Sequence, residues 1–243
     1  MITGGRGGIG LALAKKLSNR GLRIAATGRD PATLNSADFP PDTVRIVCDV
    51  TTPEGAAQAV SQCIAETGRP PGLLAHCVGN SLIAPLHRTG AAQAREVLRV
   101  NLDSALFMLS SWIGALREAN APGAAVFVSS VVARIGVANH EAIAAAKGGI
   151  EALVRSAAAT YAQYALRVNA VAPGMTETPM TAGMLKMPAM REGAGKQYPL
   201  GGVQTAEQVA DTIGWLLSDE ASRITGQVIA VDGGFSQIRP LVR

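Results

Sequence analysis

The chain has 243 residues, 48% hydrophobic and only 16% charged, a balance that excludes disorder and suits a buried sheet covered on both faces by helices. Its net charge of +4 comes from scattered arginines with aromatics at 4%, so a solvated surface is the reading adopted and no nucleic-acid partner is expected. No run approaches the ~18 apolar residues of a membrane span, and no basic-plus-apolar leader precedes residue 3, so neither membrane insertion nor export is expected.

In chain order, Ile2-Thr3 is a strand remnant, shorter than the ~5 residues usual for a central parallel strand; either the start lies upstream or this strand is unusually short. A glycine-rich turn follows, then a helix over Ile9–Arg20 with Ile9, Leu13 and Leu17 on one face, stopped by Gly21. Strands are predicted at Leu22–Thr27 and Val44–Val50, and a helix at Pro53–Thr67 with proline in its first turn and Gly68 at its end. Next come a strand at Leu73–Val78, a helix over Ala91–Ala119 interrupted near Asn101, and a strand at Ala125–Ser130. The last third reads as helix Glu141–Tyr164, strand Leu166–Ala172, helix Thr205–Leu217 with the capping box Thr205-x-x-Gln208, and strand Gln227–Val231. Alternation of this kind predicts right-handed crossovers and a parallel sheet. With no linker and no repeat, one domain over 1–243 is expected. Cys48, Cys63 and Cys77 form no CxxC pair, and Cys48 and Cys77 fall inside predicted strands as apolar fillers, which implies a reduced, cytoplasmic setting.

The run Thr3-Gly4-Gly5-Arg6-Gly7-Gly8-Ile9-Gly10 lies between a strand and an amphipathic helix, the context in which glycines let a backbone approach a pyrophosphate at a helix N-terminus. By itself an ordinary tight turn remains open. Further motifs accompany it: Asp49-Val50, Val100-Asn101-Leu102, Ser129-Ser130, Lys147, Pro173-Gly174 with Thr178, and Asp232-Gly233-Gly234. In this order, over essentially the whole chain, they resemble the short-chain dehydrogenase/reductase family, most nearly its β-ketoacyl-carrier-protein reductase-like members.

The resemblance implies a Rossmann-type, doubly wound α/β fold with a predominantly parallel seven-stranded sheet and helices on both faces. It also implies a nicotinamide dinucleotide held by Thr3, Gly4, Arg6, Gly8, Ile9, Gly10, Arg29, Asp49, Val50, Lys147, Pro173, Gly174 and Thr178. Cofactor choice turns on Ala26-Thr27-Gly28-Arg29-Asp30, where Arg29 and Arg6 suit a 2′-phosphate and Asp30 would suit a ribose hydroxyl. NADP is the reading adopted, NAD the less favoured one.

In the resembling family a serine, a tyrosine and a lysine act together, with an asparagine extending a water relay. Position by position these are Ser130, Lys147 and Asn101, and the tyrosine position, four before Lys147, is Ile143. Ser130 precedes it by the thirteen residues the resemblance requires; Tyr161 and Tyr164 lie more than three turns beyond Lys147 and Tyr198 falls in a flexible-looking segment, so none substitutes by local geometry. Because isoleucine carries no proton, a general acid–base contribution of ~10²–10⁴ in rate is missing. Three accounts stay open. The protein is an NADP-dependent oxidoreductase drawing its proton from Ser130, a Lys147-held water, His140 or Glu141; or it is a dinucleotide-binding, non-catalytic partner subunit; or it performs dehydration or cyclisation in a reductase-like pocket. The first is adopted.

His76, in the Asn position of the family's NNAG turn, is read as a structurally satisfied histidine. Three histidines without paired ligands make a metal site unexpected. Met175, Met180, Met184, Met187 and Met190 crowd the segment that in the family is the substrate lid, around 176–200, predicting a greasy pocket for an acyl chain or ring, carried free or on a carrier; plain loop packing stays open. Gly193 and Gly195 are expected to hinge it. Small residues on the Glu141–Tyr164 helix fit the homo-oligomer, dimer or tetramer, that the resemblance implies, and packing inside one subunit explains them about as well.

Overall fold

The computed structural model describes residues 1–239, and in it strand and helix alternate as the sequence predicts. β1 (Ile2–Thr3) passes through the glycine turn into α1 (Gly8–Asn19), followed by β2 (Ala25–Gly28), α2 (Pro31–Asn35), β3 (Val44–Val47), α3 (Pro53–Thr67) and β4 (Leu73–His76). Then come α4 (Ala91–Leu98), a π turn (Arg99–Asp103), α5 (Ser104–Glu118), β5 (Gly123–Val128), α6 (Glu141–Tyr161) and β6 (Leu166–Pro173). The remainder holds β7 (Thr176–Glu177), α7 (Ala182–Leu185), α8 (Pro188–Gly195), β8 (Gln204–Thr205), α9 (Ala206–Leu217) and β9 (Val228–Val231).

One sheet contains seven of these strands in the order β3-β2-β1-β4-β5-β6-β9, every neighbouring pair parallel. The chain builds outward from β1 on one side and resumes at β4 on the other. That reversal opens a crevice at the carboxyl ends of β1 and β4, where open α/β sheets take ligands. One face packs Met108, Trp112, Phe127, Ile150 and Leu74 beneath α3, α5 and α6. The other packs Leu13, Leu17, Val126, Ile213 and Leu216 beneath α1 and α9. Each such side chain contributes ~1.5–3 kcal/mol by leaving water, which is why both strand faces are apolar.

β1 is two residues long yet central. Ile2 pairs with Ala26 on one side and Ala75 on the other, and burial of Ile2 together with the Thr3 hydroxyl's bond to His76 holds it in place. The strand foreseen from Leu22 starts at Ala25, because Gly21 turns left-handed (φ 79°) and the Leu22 N–H returns to the Leu17 carbonyl to cap α1. β3 and β4 end at Val47 and His76, so Cys48 and Cys77 sit just beyond the strands rather than inside them. Ser129 and Ser130 likewise lie past the end of β5. Among the described residues no helix is long and apolar enough to cross a membrane.

Candidate functional site

The glycine turn is shaped by contacts that a side chain would destroy. Gly4 is left-handed (φ +68°), and a Cβ there would stand 2.9 Å from the Cys77 carbonyl. At Gly10 it would stand 2.6 Å from the Gly4 oxygen, and at Gly8 2.9 Å from Thr178 Cγ2. The turn is thereby pressed against the end of β4 and the segment after β6. α1 then begins with no side-chain cap and no acidic residue in its first turn, so its opening N–H groups and positive dipole end are available to an anion. Ile9 is partly buried behind them, while Arg6 is exposed at the rim. Thr3 faces the other way: its buried hydroxyl serves His76 and the sheet.

Beside the turn, the end of β2 presents Arg29 to solvent. Asp30 Oδ1 caps α2 by accepting from Ala32 N (2.9 Å) and Thr33 N (3.4 Å), and the residue stays exposed. Past β3, Asp49 Oδ1 accepts from the Thr51 N–H (3.0 Å) and hydroxyl (2.7 Å), and Val50 is buried behind it. Desolvation pushes the Asp49 pKa up. The Thr51 bonds and the charges of Arg29 and Arg99 outweigh it and hold the carboxyl below its usual range.

The third part of the crevice is the end of β5. Lys147, one of the few buried cations, donates from Nζ to the Val128 carbonyl (2.8 Å), and burial lowers its pKa to about 8. Asn101 sits in the π turn, where the extra backbone residue swings its amide inward; Nδ2 donates to the Val97 carbonyl (2.9 Å) and to Asn80 Oδ1 (2.7 Å). Its Oδ1 is buried with no partner. That oxygen and Lys147 Nζ both lie within 3.3 Å of the point a Gly79 Cβ would occupy, so Gly79 keeps the space between them clear. Ser129 is turned away, donating to the buried Glu151 Oε1 (3.1 Å), which also pairs with Arg134. Ser130 accepts weakly from Val132 N (3.4 Å), which leaves its hydroxyl proton to donate.

Ile143, one turn before Lys147 on α6, is 4% exposed and joins Val97 and Ala146 in a small apolar cluster flanked by Leu82, Val132 and Ala142. In the preceding loop His140 Nδ1 pairs with the Ala138 carbonyl (2.7 Å), and Glu141 is exposed. His76 is satisfied as a structural group, with Nδ1 at 2.8 Å from Thr3 Oγ1 and Nε2 at 3.0 Å from Ser104 Oγ. Because Ser104 gives its proton to the Val100 carbonyl (2.6 Å), it accepts from Nε2, and Thr3 donates to Nδ1. Burial lowers the His76 pKa to about 3, so the ring is neutral.

A family model described as "Enoyl-(Acyl carrier protein) reductase", of the short-chain dehydrogenase/reductase type, matches residues 4–236. The chain belongs to the short-chain dehydrogenase/reductase family. It is 36% identical to the cis-4-hydroxycyclohexanecarboxylate dehydrogenase of Sinomonas cyclohexanicum over 98% of this chain and 96% of that one. To the 3-oxoacyl-[acyl-carrier-protein] reductase MabA of Mycobacterium tuberculosis it is 32% identical, covering 96% and 91%. A short-chain type dehydrogenase/reductase from Mycobacterium ulcerans superimposes with a TM-score of 0.91 at 28% identity, covering 98% of this chain and 89% of that one. These relatives are oxidoreductases, and the family binds NAD(P).

The residues of this short-chain dehydrogenase/reductase fit such a dinucleotide. The glycine cradle would close if a Cβ were added at Gly4, Gly8 or Gly10, α1 offers uncapped N–H groups, and Asn101 Oδ1 is an orphaned acceptor at the far end. Pro173 is buried and Gly174 half-buried, with a Cβ on Gly174 2.7 Å from the Tyr198 ring. Tyr198 accepts the Met175 N–H (2.6 Å), so it is anchored to the Pro-Gly turn rather than loose. The segment between β7 and β8 is tied at its two ends by the pairing of these strands and by Gln204 Nε2 donating to Thr176 Oγ1 (2.9 Å). Gly193 and Gly195 lie within α8, contrary to the hinge expectation; the left-handed pair is Gly201 (φ +75°) and Gly202 (φ +74°). Met180, Met187 and Met190 are exposed on this segment, and a cavity of about 210 Å³ in it is lined by Glu177, Thr178, Ala182, Leu185, Lys186 and Arg191, so the methionines expected to form a greasy pocket do not line it. Sequence reasoning missed Asn80, Thr51 and Arg99. An Asp-x-Thr turn after β3 was the readable signal for Thr51; Asn80 and Arg99 carry no local signature.

Proposed function

We propose that this short-chain dehydrogenase/reductase is a cytoplasmic NADP(H)-dependent oxidoreductase that reduces a carbonyl, or oxidises the alcohol, of an apolar cyclic or acyl-thioester substrate. The observation that carries the reading is the convergence of Lys147 Nζ, the orphaned Asn101 Oδ1 and Gly79 at the end of a crevice that begins with uncapped helix N–H groups. NADP is favoured over NAD by exposed Arg6 and Arg29 and by the use of Asp30 as a helix cap. The Sinomonas cyclohexanicum relative, whose name denotes a cyclic hydroxy acid, supports the substrate class.

When bound, the nicotinamide supplies or accepts a hydride. Ser130 donates its free hydroxyl proton in a hydrogen bond to the substrate oxygen. With a pKa near 8, Lys147 carries a proton at neutral pH that is readily released, and Asn101 Oδ1 accepts from a water that passes it on. Ile143 contributes only an apolar wall. A second reading, a dinucleotide-binding subunit without turnover, is favoured by that wall, which Ile143 shares with Val97, Ala146, Leu82, Val132 and Ala142.

Binding titrations with NADPH and NADH, and turnover of 4-oxocyclohexanecarboxylate and β-ketoacyl thioesters, test the proposal. NADPH-preferring binding with measurable oxidation of NADPH by one substrate class supports it. Binding without turnover on any of them leaves the second reading, and absence of binding to either nucleotide overturns both.

A further inference from the structure

Arg99 is explained neither by the fold nor by the residues assigned so far. It opens the π turn, and its guanidinium gathers partners from two elements. Nε and Nη2 donate to the two carboxylate oxygens of Glu96 (2.7 and 2.9 Å), Nη1 donates to the Thr51 hydroxyl, and Nη1 stands 3.8 Å from Asp49 Oδ2. Thr51 in turn fills Asp49 Oδ1. Asp49 therefore has Oδ1 committed within its own turn and Oδ2 facing Arg99. The cluster is not sealed: the Arg99 side chain is 36% exposed and that of Asp49 40%. Arg29 stands beside the cluster, since Gly28 pairs with Val47 and its carbonyl accepts from the Cys48 N–H (3.0 Å), one residue before Asp49, and its charge lowers the pKa of both Asp49 and Glu96.

Two carboxylates and two guanidiniums thus share the adenosine end of the crevice. A 2′-phosphate brings nearly two negative charges there, and Arg29 can pair with it only if the carboxylates are neutralised by something else. We propose that Arg99 is a specificity-determining positioning residue: it neutralises Asp49 and Glu96 from the π turn, and so frees Arg29 for the 2′-phosphate. The inference rests on the dinucleotide reading above and adds to it which residue sets the NADPH-to-NADH preference. Without Arg99, Asp49 and Glu96 compete for Arg29 and repel the dianion, a penalty NADH does not feel because it carries no phosphate at that position.

The test is the ratio of NADPH to NADH dissociation constants on the full chain, by calorimetry at low and moderate salt. Arg99→Met is expected to lower the preference for NADPH by roughly tenfold, more at low salt than at high, through lost affinity for NADPH alone. Glu96→Gln, at an exposed position, is expected to move the ratio the other way, and the double variant to return toward wild type. A merely structural role would weaken both nucleotides equally, and that result, or an unchanged ratio in Arg99→Met, overturns the proposal. Should Arg99→Met not fold, Glu96→Gln carries the test alone, and an unchanged or lowered NADPH preference in it overturns the proposal. Wild type that binds neither nucleotide overturns the underlying reading, which separates the two failures.

Discussion

Ile143 and Lys147 are neighbours on one face of α6 in opposite chemical surroundings, the first against Val97 and Leu82, the second donating to the Val128 carbonyl. Restoring a phenol in place of the isoleucine puts an acid one turn from the lysine. Ile143→Tyr is expected to raise kcat/KM for carbonyl reduction by ~10²-fold or more, read as NADPH oxidation, at a cost of ~1–3 kcal/mol in stability from overpacking. Equal rates in wild type and variant would mean that proton supply does not limit the reaction. The lysine makes a prediction of its own. Its pKa is depressed by burial from 10.5 to about 8 in the folded chain, so between those values the unfolded chain binds more protons and stability rises with pH. Replacing it with methionine removes that term. The melting temperature of Lys147→Met is expected to exceed that of wild type below pH ~8, with the gap closing toward pH ~10; a gap independent of pH would refute a buried, titrating lysine.

At the scale of elements, most of what positions the site was readable. Gly21 and Gly68 end helices, Thr205 and Gln208 cap α9 reciprocally, and the break foreseen near Asn101 is the π turn. Caps and turns are legible because they are settled within a few residues of chain. Thr205→Ala is expected to cost ~1 kcal/mol of stability without altering nucleotide affinity, as seen by chemical denaturation and titration together. Gly8 is the converse case: an added Cβ meets Thr178 at 2.9 Å and Pro179 at 3.2 Å, so Gly8→Ala should loosen the contact between glycine turn and lid. NADPH binding is expected to fall by about tenfold, equivalent to ~1.4 kcal/mol, while the melting temperature changes little. Retention of full affinity would place the phosphates elsewhere. Strand ends were less legible, because Leu22 and Cys48 are apolar enough for a strand and only the returning Leu22 N–H and the Asp49 turn exclude them.

For the whole molecule, the reversal of strand order between β1 and β4 brings residues 4, 49, 101 and 147 to a single sheet edge. A homo-oligomer, dimer or tetramer, is proposed on top of that. On α6, Ala145, Ala152 and Ala159 are exposed and a Cβ on Gly148 meets nothing within 4 Å, while Leu106 on α5 is 42% exposed, so small and apolar groups line these helices outside the core. Light scattering at micromolar concentration is expected to find at least twice the chain's mass. A strictly monomeric protein with intact nucleotide binding would remove the proposal.

Taken alone, the amino-acid order determined the fold class, the glycine turn, the lysine and the isoleucine in front of it, because each depends on residue type at fixed spacing along one element. Tertiary structure alone decided that His76 bridges Thr3 and Ser104, that Tyr198 is anchored at the Pro-Gly turn, and that Arg99 reaches Thr51 and Asp49. Most of these bonds join residues tens of positions apart, or choose between acceptors of equal local merit. Their partners are selected by how the sheet and its helices pack, and no window of sequence contains that information.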